Sequence, residues 1–163
     1  MTAAATRAWR PRNETDQDLA RERAAADAIV EAFAQRGRAG LKALKLGETL
    51  YQIDWAFFDH GQQGRPLVSW GEFRWRDRRY DTYVMKYSKL VAGRKWMRAT
   101  GKPFLMYVEW PDGIWYWRVP EVVDLQVYLF ESTRQQNGDN EPVVHVPVNW
   151  FVQLTTQRCL DGA

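Results

Sequence analysis

The sequence contains a single cysteine, Cys159, and only two histidines among its 163 residues. One cysteine excludes an intramolecular disulfide and a cysteine-based zinc site. The histidines, His60 and His145, lie far apart and lack the spacing of zinc ligands. The sequence also lacks a glycine-rich phosphate loop and the glycine-flanked serine of a hydrolase nucleophile. Cysteine, zinc, P-loop and serine-nucleophile chemistries therefore have no support here.

Long apolar runs are missing as well. No stretch approaches the roughly 18 apolar residues of a membrane span, and no signal-peptide pattern follows Met1. We therefore predict a cytoplasmic protein without a membrane partner. The excess of positive charge is small, with a net charge of +3 and a pI of about 9.1. This charge is compatible with a phosphate-binding surface but does not require one.

Aromatic residues, by contrast, are abundant, with nine Trp, seven Tyr and seven Phe. Most of these rings are expected to fill a core, although such rings are also the side chains on which bases stack. Hydrophobic residues make up 45% and charged residues 26% of the chain, a balance typical of a globular domain. We predict a flexible N-terminal arm over residues 1–14 and a single domain over residues 15–163.

The first predicted element is a helix that begins near Thr15 or Asp16, both good N-caps, and ends near Gly37. Residues at 3–4 spacing give this helix one apolar face that also carries an acid: Leu19, Glu22, Ala26, Ile29 and Phe33. The connection that follows, residues 38–48, has room for a short strand.

A second helix is predicted over Thr82–Ala99, capped by Asp81 and ended by Gly101. Turns at residues 61–64 and at Asp112-Gly113 each join two antiparallel strands. The segments with strand character are Leu50–Phe58, Leu67–Arg76, Phe104–Trp110, Ile114–Val119, Val122–Phe130 and Val143–Val148, and residues 150–154 pack back onto the domain. This order predicts an α/β fold with a mixed central β-sheet flanked by two main helices, with extra C-terminal β segments.

Two acidic residues interrupt the apolar strand sequence: Asp54 in Tyr51-Gln52-Ile53-Asp54, and Glu72 in Trp70-Gly71-Glu72-Phe73-Arg74. If these strands pair through the turn, the carboxylates lie close together and repel each other unless a cation lies between them. Hard oxygen ligands suit Mg²⁺ or Mn²⁺, which can polarise a phosphate and acidify a bound water. A structural alternative is a surface position for Asp54 and an ion pair of Glu72 with Arg74 or Arg76.

The order of these motifs resembles the PD-(D/E)XK nuclease-like superfamily, in particular its small phage and prophage members. An acid-bearing helix precedes Tyr-x-Ile-Asp, Trp-x-Glu-x-basic, a lysine-bearing helix and an apolar strand ending in Asp-Gly, over residues 15–119. The resemblance implies a restriction-endonuclease-like core and a Mg²⁺- or Mn²⁺-dependent DNA endonuclease or exonuclease. Such an enzyme hydrolyses phosphodiester bonds with a metal-activated water. If the chain is phage-encoded, its location is the cytoplasm of a bacterial host cell.

The resemblance also implies which residues hold the metal. Asp54 matches the metal-binding Asp of the motif and Glu72 matches its second acid. The backbone carbonyl of Phe73 is a further candidate ligand, and Glu22 is a candidate for the acid that many members carry on the first helix.

The lysine of the motif falls at position 74, where this chain has Arg74. Arginine stays charged near pH 7 and cannot act as a base, but it can hold a phosphate or the charge of the transition state. In some members the working lysine lies on the following helix, where this chain has Lys86 and Lys89. Superfamily members with a similar helix pattern favour Lys89 as this working lysine. Lys86, however, lies nearer to the edge of the apolar face of the predicted helix, so both lysines remain candidates.

A run of arginines follows the second acidic strand, so a DNA backbone entering the site would meet Arg74, Arg76, Arg78 and Arg79. Solvated loop charges explain this run equally well. DNA is the predicted partner, RNA remains open, and exposed aromatic residues are compatible with a homodimer. Arg74 motivates the alternative function: a catalytically inactive nuclease-fold protein that serves as a nucleic-acid-binding or protein-interaction module, such as a phage accessory protein.

Overall fold

The computed structural model describes residues 15–47, 51–130 and 141–156, which contain two α-helices and nine strands. In chain order the elements are α1 (Asp16–Ala34), β1 (Leu41–Lys45), β2 (Trp55–Asp59), β3 (Leu67–Trp75), β4 (Thr82–Lys86), α2 (Tyr87–Thr100), β5 (Phe104–Trp110), β6 (Gly113–Arg118), β7 (Val127–Phe130), β8 (Glu141–Pro147) and β9 (Val152–Thr155). A short 3-10 helix, Val148–Trp150, separates β8 from β9. The predicted N-terminal arm and Cys159 lie outside the described residues.

A six-stranded sheet in the order β1-β2-β3-β5-β6-β9 forms the centre of the fold. β3 and β5 are parallel, in register from Trp70 beside Phe104 to Trp75 beside Glu109, and the other neighbouring strands are antiparallel. The predicted mixed sheet is therefore confirmed. Every residue of β5 is buried, as expected for a central strand that is covered on both faces.

Helix α1 covers one face of this sheet. It begins as predicted, because Thr15 and Asp18 form a reciprocal capping box that satisfies free backbone N–H groups. Its buried residues, Ala25, Ala26, Ile29 and Ala32, share a core cluster with Leu105 and Tyr107 of β5. The alternate residues of β5, such as Phe104 and Met106, belong to a second cluster on the other face.

Helix α2 and a small antiparallel sheet, in the order β4-β8-β7, share that second core cluster. Gly93 brings α2 very close to β5, because a Cβ at this position would lie 2.1 Å from the ring of Phe104. Gly101 ends α2 in the left-handed conformation, with a φ of 65°, as predicted. The described residues include no helix long and apolar enough to cross a membrane.

The start of the predicted second helix was wrong. Residues 82–86 form strand β4, which pairs with β8 from Thr82 beside Pro147 to Lys86 beside Val143. Tyr83 and Met85 are buried while their neighbours are more exposed, which is the alternation of a strand. The helix begins only at Tyr87.

The strand predicted over Leu50–Phe58 was too long. Residues 52–54 form a bend, in which Gln52 adopts a positive φ of 58°, and β2 begins only at Trp55. Asp54 therefore precedes the strand instead of lying within it. The segment Val122–Phe130 is likewise extended only over its last four residues, β7, whereas the short strand allowed for in residues 38–48 is present as β1.

Candidate active site

The bend before β2 places Asp54 beside the middle of β3. The Asp54 carbonyl accepts a hydrogen bond of 2.8 Å from the backbone N–H of Leu46, which fixes the bend to the end of β1. Trp55 pairs with Gly71 in the antiparallel β2–β3 ladder, so the next residue pair along this register is Asp54 and Glu72. The two acids are thus neighbours because of strand pairing, as the sequence predicts.

The two carboxylates converge on one lysine, Lys89, from the first turn of α2. The Lys89 Nζ lies 3.0 Å from Glu72 Oε1 and 3.6 Å from Asp54 Oδ1. Glu72 is 1% exposed and Asp54 is 4% exposed, so neither is the surface residue of the structural alternative. The structure thus brings together two buried acids and a lysine from three separate segments.

Arg74 bridges the same two acids. Its Nη1 lies 3.0 Å from Asp54 Oδ2 and donates a 2.8 Å hydrogen bond to the Phe73 carbonyl, while its Nη2 forms an ion pair with Glu72 Oε1. The Glu72–Arg74 pair of the structural alternative is therefore present. The guanidinium thus contacts three of the four groups that the resemblance implies for a metal: the two carboxylates and the Phe73 carbonyl.

Burial and charge shift the pKa values of the two acids in opposite directions. Burial raises the pKa of Glu72 to about 7, and the neighbouring charge of Asp54 raises it further, while Arg74 and Lys89 act in the opposite direction. For Asp54 burial acts in the same upward direction, but Arg74 and Lys89 outweigh it and hold the pKa below the usual value.

Burial disfavours the charged form of Lys89, yet Glu72 and Asp54 outweigh burial and raise its pKa above the ordinary lysine value. Lys89 therefore remains a cation near neutral pH. In this arrangement it can donate hydrogen bonds and stabilise negative charge, but it is not a neutral base.

The two lysines left open by the sequence occupy different places. Lys86 is the last residue of β4, and its ion pair of 2.7 Å with Glu141 is largely exposed to solvent. The helical geometry that favoured Lys86 was wrong, since Lys86 is not within the helix. Of the two, Lys89 is the one in contact with the acids.

Glu22 of α1 extends toward the same region, where it forms an ion pair with Lys45 of β1. Burial raises the pKa of Glu22, and the charge of Asp54 raises it further, so the two acids lie within electrostatic range. Sequence reasoning missed Lys45, whose charge also lowers the pKa of Asp54. Lys45 pairs with Trp55 in the β1–β2 register, one residue from Asp54, and the sequence carries no residue pattern that indicates this register.

The arginines after β3 lead away from the acids. Arg76 donates a 2.8 Å hydrogen bond to the Trp75 carbonyl and lies 5.4 Å from the centre of the Tyr83 ring. Arg79 is held on the β5–β6 hairpin, 2.9 Å from Asp112 and stacked 3.8 Å from the centre of the Trp115 ring. Arg78 is exposed. The predicted basic run therefore extends from the acids to the hairpin.

The candidate metal ligands at this site are all oxygen atoms. Within residues 15–47, 51–130 and 141–156, no group of three or more His, Cys, Asp or Glu side chains is placed to bind one. Two carboxylates and the Phe73 carbonyl remain, and Mg²⁺ commonly takes few protein oxygens and keeps several waters. Glu72 Oε1 is buried and accepts no well-oriented hydrogen bond from the described residues, although two cations lie against it. The donor set therefore fits a hard divalent cation.

The family is evident from the sequence as a whole. A family model described as "Phage putative PDDEXK endonuclease" matches residues 8–154, which is most of the chain. The chain belongs to this family, and the predicted superfamily and its restriction-endonuclease-like fold are confirmed. The family supports a nuclease, which acts on nucleic acid.

Among solved structures, the Holliday junction resolvase Hjc from the archaeal hyperthermophile Archaeoglobus fulgidus is similar to 78% of this chain. The similarity covers 94% of the resolvase, with 11% sequence identity and a TM-score of 0.44. No curated protein sequence matches the chain.

Proposed function

We propose that this chain is a divalent-metal-dependent DNA nuclease that hydrolyses phosphodiester bonds, with Mg²⁺ or Mn²⁺ as its cofactor. The observation that supports this most directly is the convergence of Asp54, Glu72 and Lys89 from the bend before β2, from β3 and from α2. Two buried acids that share a lysine are costly for stability, since each charge loses its hydration. A catalytic role explains why a fold would keep them.

Each residue has a distinct part in this proposal. Asp54, Glu72 and the Phe73 carbonyl hold the cation, and Glu22 supports Asp54 through Lys45. When bound, the cation supplies Lewis acidity, which polarises the scissile phosphate and makes water a better nucleophile. Lys89, held protonated by the two acids, orients the attacking water and stabilises charge on the phosphate. Arg74 steadies the phosphate, and Arg76 and Arg78 attract the DNA backbone.

A plasmid-cleavage assay with Mg²⁺ tests this function. Asp54→Asn and Glu72→Gln keep the side-chain shape but remove a metal-binding charge, and each is expected to lower the cleavage rate by about 100-fold or more. Lys89→Gln is expected to lower the rate by roughly 100-fold, while its matched control Lys86→Gln stays within about twofold, because Lys86 pairs with Glu141 at the surface. Equal rates for the wild type and both acid variants would refute the proposal.

A second function has one specific observation in its favour. Arg74 replaces the lysine of the motif and bridges Asp54 and Glu72, so the acids are balanced by protein cations alone. A catalytically inactive module would bind nucleic acid or a protein partner equally well in EDTA and in Mg²⁺, and would cleave no substrate. Gel-shift experiments in the two buffers distinguish this module from the nuclease.

The nucleic-acid substrate and the oligomeric state are further parts of the proposal. We take DNA as the substrate, and the same assay with RNA of matched sequence tests the alternative, since comparable cleavage of both would contradict a preference for DNA. A homodimer is testable by sedimentation.

A further inference from the structure

The Arg74 guanidinium lies between Asp54 and Glu72, the position in which the proposed function places a metal ion. Its Nη1 contacts Asp54 Oδ2 at 3.0 Å and the Phe73 carbonyl at 2.8 Å, and its Nη2 pairs with Glu72 Oε1. These are the same three groups that the proposed function assigns to the cation. One side chain thus contacts an oxygen atom of every group in the donor set.

The charges of this cluster already balance. Asp54 and Glu72 contribute two negative charges when ionised, and Arg74 and Lys89 contribute two positive charges. A divalent cation added to this set would leave two excess positive charges among groups that lie 3.0–3.6 Å apart. Repulsion at such distances in a partly buried site is large, so the arrangement disfavours the simultaneous presence of the guanidinium and a metal.

Space imposes the same restriction. The cavity beside the cluster, lined by Glu72, Arg74, Lys89, Tyr83 and Met106 among others, has a volume of about 40 Å³. That volume suits one or two water molecules and is small for a cation that keeps several waters. On this side of Glu72, room for such an ion therefore requires movement of a side chain such as Arg74.

We propose that the Arg74 guanidinium competes with the metal for the same oxygen ligands. In the metal-free protein it binds these ligands, and the metal has to displace it, which lowers the metal affinity. This inference rests on the proposed metal-dependent function. The Arg74 side chain is 29% exposed, so its guanidinium has a path to solvent along its flexible stem. Once displaced, it is still attached at the edge of the site, where a phosphate would arrive.

Binding of Mn²⁺ in the absence of nucleic acid, measured by isothermal titration calorimetry, tests the inference. Arg74→Gln removes the competing charge, and we expect it to bind Mn²⁺ about 10-fold tighter than the wild type. The matched control is Arg76→Gln, which removes the same charge at a position two residues further along the chain. The Arg76 guanidinium donates a hydrogen bond to the Trp75 carbonyl. That control is expected to change the affinity by less than about threefold.

The outcomes separate this inference from the proposed function. Wild-type binding that Asp54→Asn abolishes, together with tighter binding by Arg74→Gln, supports both. Equal or weaker binding by Arg74→Gln overturns the competition while leaving the metal site standing. No Mn²⁺ binding by the wild type, by Arg74→Gln or by Arg76→Gln overturns the metal site and the competition together.

A measurement on the unsubstituted protein covers the case in which Arg74→Gln does not fold. In ¹⁵N NMR spectra of the arginine side chains, the Arg74 Nη–H groups should exchange slowly with water in EDTA, because Nη1 is held by Asp54 and Phe73 and Nη2 is held by Glu72. Saturating Mg²⁺ should increase this exchange at least about 10-fold as the guanidinium leaves. Unchanged exchange at saturating Mg²⁺ would contradict the competition.

Discussion

Replacing Lys89 by methionine should destabilise the protein far more than the same change at Lys86. The side chains of Lys89, Asp54 and Glu72 are 11%, 5% and 1% exposed, so their interaction is weakly screened. Removing one partner of a buried charge cluster costs about 3–5 kcal/mol. Because Arg74 continues to contact both acids, we expect a smaller loss for Lys89→Met, about 1–3 kcal/mol.

Lys86→Met is the matched comparison. The side chains of Lys86 and Glu141 are 55% and 31% exposed, and an exposed pair of this kind contributes about 0–1 kcal/mol. Equilibrium urea unfolding in EDTA, followed by tryptophan fluorescence, measures both variants against the wild type. Equal destabilisation by the two substitutions would refute the assignment of Lys89 to the buried acids.

Three further predictions concern the scaffold of the site, each checked by urea unfolding. Gly93→Ala should cost about 1–3 kcal/mol by overpacking, because its Cβ would lie 2.1 Å from the Phe104 ring, and unchanged stability would contradict the close packing of α2. Arg21→Met should cost roughly 1–3 kcal/mol, since it removes the 3.1 Å ion pair between Arg21 and the buried Glu109, and a stabilised variant would contradict this ion pair. Thr15→Ala should cost about 1 kcal/mol by removing the capping box of α1, and a loss below experimental error would contradict it.

The parts of the fold that sequence patterns predicted are those determined by neighbouring residues. Helix α1 has a local cap at Thr15. The β5–β6 hairpin is present as predicted, although its turn is Pro111-Asp112, with Gly113 already paired with Trp110, one residue before the predicted Asp112-Gly113 turn. Strand β3 combines a preceding turn with β-branched and aromatic residues. In each case the signal and the structure that it specifies lie within a few residues of each other.

Strand β4 could not be predicted in the same way. The spacing of Tyr83, Tyr87 and Leu90 fits a helix, whereas the alternation of Tyr83 and Met85 fits a strand. The decision depends on β8, which lies about 60 residues later in the chain and supplies the pairing. The segment itself therefore carries both patterns, and only the long-range pairing with β8 decides between them.

The site shows a similar division. Asp54 and Glu72 were predicted as neighbours because the turn between β2 and β3 fixes their pairing. The bridging position of Arg74 depends on side-chain conformation, and the approach of Lys45 depends on the register of β1. Neither is visible as a residue pattern, so the competition between Arg74 and a metal emerges only from the three-dimensional arrangement.

The most direct test of the metal-dependent nuclease is the Mg²⁺ dependence of plasmid nicking by the wild type beside Asp54→Asn, with circular dichroism to show that both are folded. We predict nicking by the wild type that requires Mg²⁺ and is about 100-fold slower in Asp54→Asn. Nicking that persists in EDTA, or that is equal in the two proteins, would contradict a site built on Asp54 and Glu72.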